Sequence, residues 1–296
     1  MEPKRGIKEF LSDLFWPVRA TLDFLQKYFK ALIFLLLLLF VLASLPKEAL
    51  KKPNLATVSL KGTILSAKET VQKLENLSKK SSIKGVLFIV DSPGGAVAPS
   101  LEISRAIKRL RAKKPVITYA AGTLASGSYY ASIWSNKIIA NPGSIVGSIG
   151  VILEVPNLKG LLDKVGVHPQ VVKAGKYKEA GTPFRPWKEY ERKELEKVIK
   201  DTYEMFVNDV AKARKLDLAR QDRWAQAHIF TARQAKEEGL IDEVGTMYEA
   251  KKQLIKLSGV KKPVWQKEDK LEKFLKKISE ETASRLSSLL FGLKAF

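Results

Sequence analysis

Two stretches, "GVLFIVDS" at residues 85–92 and "PVITYAAG" at residues 115–122, are apolar without alternation, and each runs into a glycine-containing turn. A strand can be apolar on both faces only where both faces are covered, as in a parallel sheet flanked by helices. Between them, Val97 to Lys113 repeats its apolar residues at helical spacing, and Ala67 to Lys80 does the same upstream. With "LATVSLKGTI" as a first strand, the order is βαβα, which predicts an α/β core around a largely parallel sheet.

The pattern continues through "NKIIANPGSIVGSIGVILEV", a helix near Leu158 to Val165, "HPQVVKAG" as a strand, and a long charged helix over residues 187–215. Two short helices are expected between Phe230 and Leu257.

Upstream of the core lies "ALIFLLLLLFVLASLP", sixteen uncharged, mostly apolar residues at 31–46 flanked by lysines, read as a transmembrane anchor. A cleaved secretory signal is the alternative, though 30 residues precede the run and no clear small-x-small site follows it. Before it, Phe10, Leu11, Leu14, Phe15, Val18, Leu22, Leu25 and Phe29 share one helical face, which suits an amphipathic helix on a membrane surface, with Pro17 expected to kink or split it. Residues 47–54 read as a linker, residues 55–260 as the soluble α/β domain, and residues 261–296 as a basic amphipathic helix. The expected location is the cell membrane, single-pass, with the soluble domain on the extracytoplasmic side. The first 30 residues, with six basic and four acidic groups, do not fix that orientation.

Composition narrows the chemistry. There is no cysteine, so thiol nucleophiles and zinc-thiolate sites are excluded, and His168 and His228 are the only histidines. A balance of 52 basic to 31 acidic residues favours anionic surfaces, and membrane lipid suits the apolar run better than nucleic acid, for which no motif is present. No metal and no cofactor is expected.

Two turns can carry a reaction. "DSPGG" at residues 91–95 and "ASGSYY" at residues 125–130 both follow buried strands, at the sheet edge where ligands sit in open α/β folds. Ser126 is followed by Gly127, whose amide can face a developing oxyanion with no side chain in the way; Ser128 is followed by Tyr129. Neither histidine stands in a pattern suited to act as base, which leaves lysine, desolvated so that it can lose its proton near neutrality. The stretch "KAGKYKEAGTPF" offers Lys173, Lys176 and Lys178, and spacing alone does not choose among them.

"DSPGG", "ASGSYYAS", "GSIVGSIGV", "KYKEAGTPF" and "TARQAKEEGLIDEVG", in this order, resemble the signal peptide peptidase family of membrane-anchored serine proteases. The resemblance implies a Clp-protease/crotonase-like superhelix of ββα units and a Ser/Lys dyad. Ser126 would be the nucleophile, Lys178 the base, Ser148 the hydroxyl orienting the lysine amine, and Gly95 and Gly127 the oxyanion donors. It further implies a homo-oligomer with active sites at subunit interfaces and hydrophobic peptide substrates, such as released signal peptides. A related protease cutting a stomatin-like partner and a crotonase-like acyl-CoA enzyme are the alternatives.

Overall fold

The computed structural model describes residues 7–44 and 52–266. It divides into two units, Met1–Lys52 and Pro53–Phe296.

In the first unit, α1 (Ile7–Ser44) is one helix of 38 residues. Pro17 lies inside it and does not split it; the Pro17 carbonyl accepts from Thr21 Oγ1 at 2.7 Å. Downstream, Phe34, Leu36 and Phe40 are each more than two-thirds exposed. Among the described residues no helix is long and apolar enough to cross a membrane. The reading of residues 31–46 as a transmembrane segment is therefore unsupported, and length gives the reason: sixteen helical residues rise about 24 Å, against a hydrocarbon core of about 30 Å. Residues 45–51, which include most of the expected linker, lie outside the described residues, as do residues 267–296 of the expected C-terminal helix.

The second unit is an α/β fold. Strands β1 (Leu55–Lys61), β2 (Gly85–Ser92), β3 (Val116–Ala125) and β4 (Lys137–Ala140) pair in parallel in that order, and a short β7 (Glu243–Val244) adds to β4. On β2, Val86, Phe88 and Val90 enter one apolar cluster while Leu87 enters another on the opposite face. Strand β3 divides likewise, with Val116, Ala120 and Leu124 on the first face and Ile117 and Tyr119 on the second. That two-sided burial is why both strands read as unbroken apolar runs.

The first face is covered by α2 (Lys68–Lys79), α3 (Val97–Arg111), α4 (Gly127–Ser132) and α6 (Glu189–Arg214), and the second by α9 (Met247–Ser258). Truncating a fully buried residue such as Phe88 to alanine would cost about 3–5 kcal/mol.

Strand β3 changes partner along its length. Ile117 to Ala120 pair with β4, but Thr123 to Ala125 pair with β5 (Ile145–Gly147), and the register against β2 slips between Val90 and Ser92. The Asp91 carboxylate accepts the Thr123 amide at 2.9 Å inside this irregularity. Such a bulge re-aims a strand end. Here it carries residues 125–127 out between the ends of β2 and β5.

A short α5 (Lys159–Lys164), α7 (Gln221–Trp224), β6 (Ile229–Thr231, antiparallel to β5) and α8 (Ala232–Glu237) complete the unit. Residues 168–175 form no strand, contrary to expectation: they are exposed, Val172 fully so, and no strand among the described residues pairs with them. Nor do residues 261–266 begin a helix. Asn54 and Leu55 donate to the Val264 carbonyl, and Trp265 bridges Leu55, tying the chain back to the start of β1.

Candidate active site

Three strand ends converge. β2 ends at Ser92 and turns through Pro93, Gly94 and Gly95; β3 ends at Ala125; β5 ends at Gly147, followed by Ser148. Ser126 donates its amide to the Gly147 carbonyl at 2.8 Å and accepts from the Tyr130 amide at 3.0 Å, so its backbone is held from both sides. Its φ of 52° and ψ of −123° lie where a residue with a side chain is strained by about 1–3 kcal/mol. The strain turns the half-buried Ser126 into a cavity instead of along the strand.

The two glycines frame that serine. Gly95 forms a parallel bridge with Ile64, whose amide donates to Gly94 and whose carbonyl accepts from Ala96. This pairing occupies the peptide groups on either side of Gly95 and leaves its own amide facing away from Ile64. Gly127 opens α4, so its amide is one of those a helix leaves without an internal acceptor. The backbones come close: a Cβ on Gly127 would lie 3.3 Å from the Gly95 nitrogen and collide with Ser100 Oγ. Gly94, at φ 99°, sits closer still, where a Cβ would fall 2.6 Å from the Gly127 nitrogen. Two amides beside one hydroxyl are the arrangement that stabilises a tetrahedral oxyanion. With only six residues, α4 contributes through these amides more than through its macrodipole.

Ser128 has a different task. It is fully buried, and its Oγ lies 2.6 Å from the Ser92 carbonyl, 2.9 Å from the Ala125 carbonyl and 2.9 Å from the Ala125 amide that donates to it. It pins the end of β2 to the end of β3 and is closed to a substrate.

Ser148, also in the left-handed region at φ 51°, shares a wide cavity with Ser126 and gives its amide to the His228 carbonyl at 2.7 Å. The wall opposite comes from α6 through Ile199, Lys200 and Tyr203. Sequence reading gave no role to these residues, because α6 shows only an amphipathic pattern and nothing in that pattern points to a site more than seventy residues upstream. Lys200 is largely solvated and sits 3.9 Å from Glu204, which is not the desolvated setting a lysine base needs.

Lys178 is not brought to Ser126 within the chain; it is exposed and lines neither cavity that Ser126 touches. The structure nonetheless separates the three lysines. Lys173 pairs with Glu179 at 2.6 Å, which raises its pKa through that hydrogen bond. Lys176 lies over the rings of Tyr177 and Tyr190 at 5.4 and 4.9 Å. Lys178 has neither an ion pair nor a ring contact among the described residues.

Residues 108–261, more than half of the chain, match peptidase family S49, and residues 55–135 match the Clp protease family. The chain belongs to peptidase family S49.

This S49 chain is 42% identical to a candidate protease of Methanocaldococcus jannaschii over 67% of its own length and 63% of that protein. It is 36% identical to a candidate protease of Synechocystis over 73% of its length and 78% of that protein. A candidate signal peptide peptidase of Enterococcus faecium is 37% identical over 58% of this chain and 51% of that protein. The resemblance to the signal peptide peptidase family is thus borne out, and with it a Clp-protease-like α/β fold.

Proposed function

We propose that the chain is a serine endopeptidase in which Ser126 attacks the peptide carbonyl and the amides of Gly95 and Gly127 hold the oxyanion. An acyl-enzyme on Ser126 is then hydrolysed by water. The observation that carries this reading is the strained, cavity-facing Ser126 beside two closely approaching glycine backbones, while its neighbour Ser128 is sealed in the core.

Lys178 acts as base and Ser148 orients its amine. Because Lys178 is exposed on its own chain, it serves the Ser126 of a neighbouring copy, where the subunit contact supplies the desolvation a neutral lysine needs. A homo-oligomer with sites at its interfaces follows. The substrates are released signal peptides or other hydrophobic peptides close to the membrane. Attachment to a bilayer is supported by the exposed apolar residues of α1; the catalytic unit works on the extracytoplasmic side.

The test is hydrolysis of synthetic signal peptides by the full chain in lipid, wild type beside Ser126→Ala and Lys178→Ala. Both substitutions should abolish cleavage without lowering the melting temperature. Retained cleavage in Ser126→Ala removes the nucleophile, and cleavage of stomatin tails but not signal peptides replaces the substrate class.

A further inference from the structure

The parallel strands all run one way, so the segments that feed them meet at the end of the sheet remote from Ser126. Asn54 joins three of these segments. Its carbonyl accepts the Lys84 amide at 2.7 Å, its side-chain amide donates to the Lys262 carbonyl at 2.8 Å, and its own amide donates to the Val264 carbonyl at 2.8 Å. Lys114, just before β3, brings in a fourth, because its ammonium donates to the carbonyls of Leu77 and Lys80 at the end of α2. The ends of α2 and α3 and the segment after α9 thus form one face with the starts of β1 and β2.

That face is basic, and its sequence supplies almost nothing to balance it. No aspartate or glutamate occurs from Asn76 to Val90, from Ile103 to Leu153, or from Ala250 to Gln266. Glu75, which borders the first stretch, is held by Arg109 at 3.3 Å. Lys80, Lys84, Lys113, Lys261 and Lys262 are all exposed. Desolvation, and then the charges of Lys84 and Lys113, lower the Lys114 pKa, so these like charges stand within reach of one another. A folded surface that crowds cations in this way gains from an extended anionic partner.

We infer that this face rests on an anionic lipid bilayer, with its exposed lysines among the headgroups. The chain arrives at Asn54 from α1 through residues 45–53, a tether that spans at most about 36 Å. A bilayer that takes up the exposed apolar residues of α1 is therefore always near this face. Strand β2 rises about 23 Å from Gly85 to Ser92, so the same seating holds Ser126 clear of the headgroups. Peptides that have left the bilayer can reach the serine; embedded ones cannot. This inference rests on the proposed attachment of the chain to a bilayer.

The chain has no cysteine, so one introduced at exposed Ser81 carries a single fluorophore on this face, and one at exposed Thr63 carries it near the catalytic edge. The full-length labelled chains are floated with phosphatidylcholine vesicles bearing a headgroup quencher, with and without phosphatidylglycerol. The Ser81→Cys label should be quenched on the anionic vesicles alone and released by high salt, while the Thr63→Cys label stays bright. Each basic residue at such a surface is worth about fivefold in affinity, so Lys80→Glu/Lys84→Glu/Lys113→Glu should cut the preference for anionic vesicles at least a hundredfold. Its melting temperature and its cleavage of a soluble peptide should match wild type, which separates lost binding from lost folding. Equal quenching at both positions, or at Ser81→Cys without phosphatidylglycerol, overturns the inference, as does tighter binding to duplex DNA than to the anionic vesicles. Flotation with both vesicles while the Ser81→Cys label stays bright overturns this inference alone; a chain that floats with neither overturns the bilayer attachment as well.

Discussion

Arg185 grips Glu191 with both terminal nitrogens of its guanidinium, at 2.8 and 2.7 Å, and the Glu191 side chain is fully buried. The same Arg185 reaches Glu179 at 2.9 Å, and Glu179 is the residue after Lys178. The loop bearing Lys178 has little regular structure, yet it is fastened through two carboxylates to the first turn of α6.

That clamp sets an acid limit. The bidentate bond from Arg185, helped by the Lys188 amide, holds the Glu191 carboxyl down to about 2, against an ordinary 4.5. A folded value below the unfolded one means the carboxylate stabilises the protein fully above pH 4.5 and loses that contribution as pH falls toward 2. Melting temperature measured across this range should fall more steeply for wild type than for Glu191→Gln. At neutral pH the variant should melt lower and lose kcat more than it raises KM.

The two serines of the turn should separate cleanly. Ser128→Ala strips the Ala125 amide and the Ser92 carbonyl of a buried partner and should cost about 1–3 kcal/mol while leaving a folded, active enzyme. Ser126→Ala should do the reverse, abolishing peptide cleavage without loss of stability. Thermal denaturation paired with a cleavage assay reads both outcomes.

Gly127→Ala should cut kcat by about 10²–10³-fold, the scale of a lost oxyanion donor. Its methyl meets Ser100 Oγ, itself bonded to the Ala96 carbonyl at 2.8 Å, and displaces the amide from its place beside Gly95. Shortening the obstacle should restore part of the rate, so kcat of Gly127→Ala/Ser100→Gly is expected above that of Gly127→Ala alone.

If Lys178 serves the neighbouring copy, Ser126→Ala and Lys178→Ala subunits should complement each other. Each is inactive alone. Mixed at equal amounts and reassembled, they should regain about one quarter of wild-type activity, the share of head-to-tail contacts that pair an intact serine with an intact lysine. A mixture that stays inactive would place both groups on one chain.

Much of the core is legible in the sequence because burial on both faces removes alternation from β2 and β3, and their glycine turns mark the site edge. Other features depend on distant packing. "HPQVVKAG" has the composition of a strand, but Val171 and Val172 stand in solvent and pair with no strand among the described residues. Ser126 and Ser128 differ little as letters; burial and backbone angle divide them. Among Lys173, Lys176 and Lys178, the choice narrows only once the first is seen on a carboxylate and the second over two rings. The walls from α6 are silent in the sequence, since a helix face that lines a cavity and one that fills a core use the same spacing.

Ser126 and Ser148 face one cavity, and both hold a left-handed backbone that an L-residue adopts reluctantly. Glycine would occupy either position without that penalty, at an entropic cost of only about 0.5–1 kcal/mol against strain of about 1–3. The Ser126→Gly protein, incapable of cutting a peptide, should therefore withstand heat at least as well as the working enzyme. Durability alone would have selected glycine at both places, so on the proposed roles of Ser126 and Ser148 this molecule trades endurance for turnover.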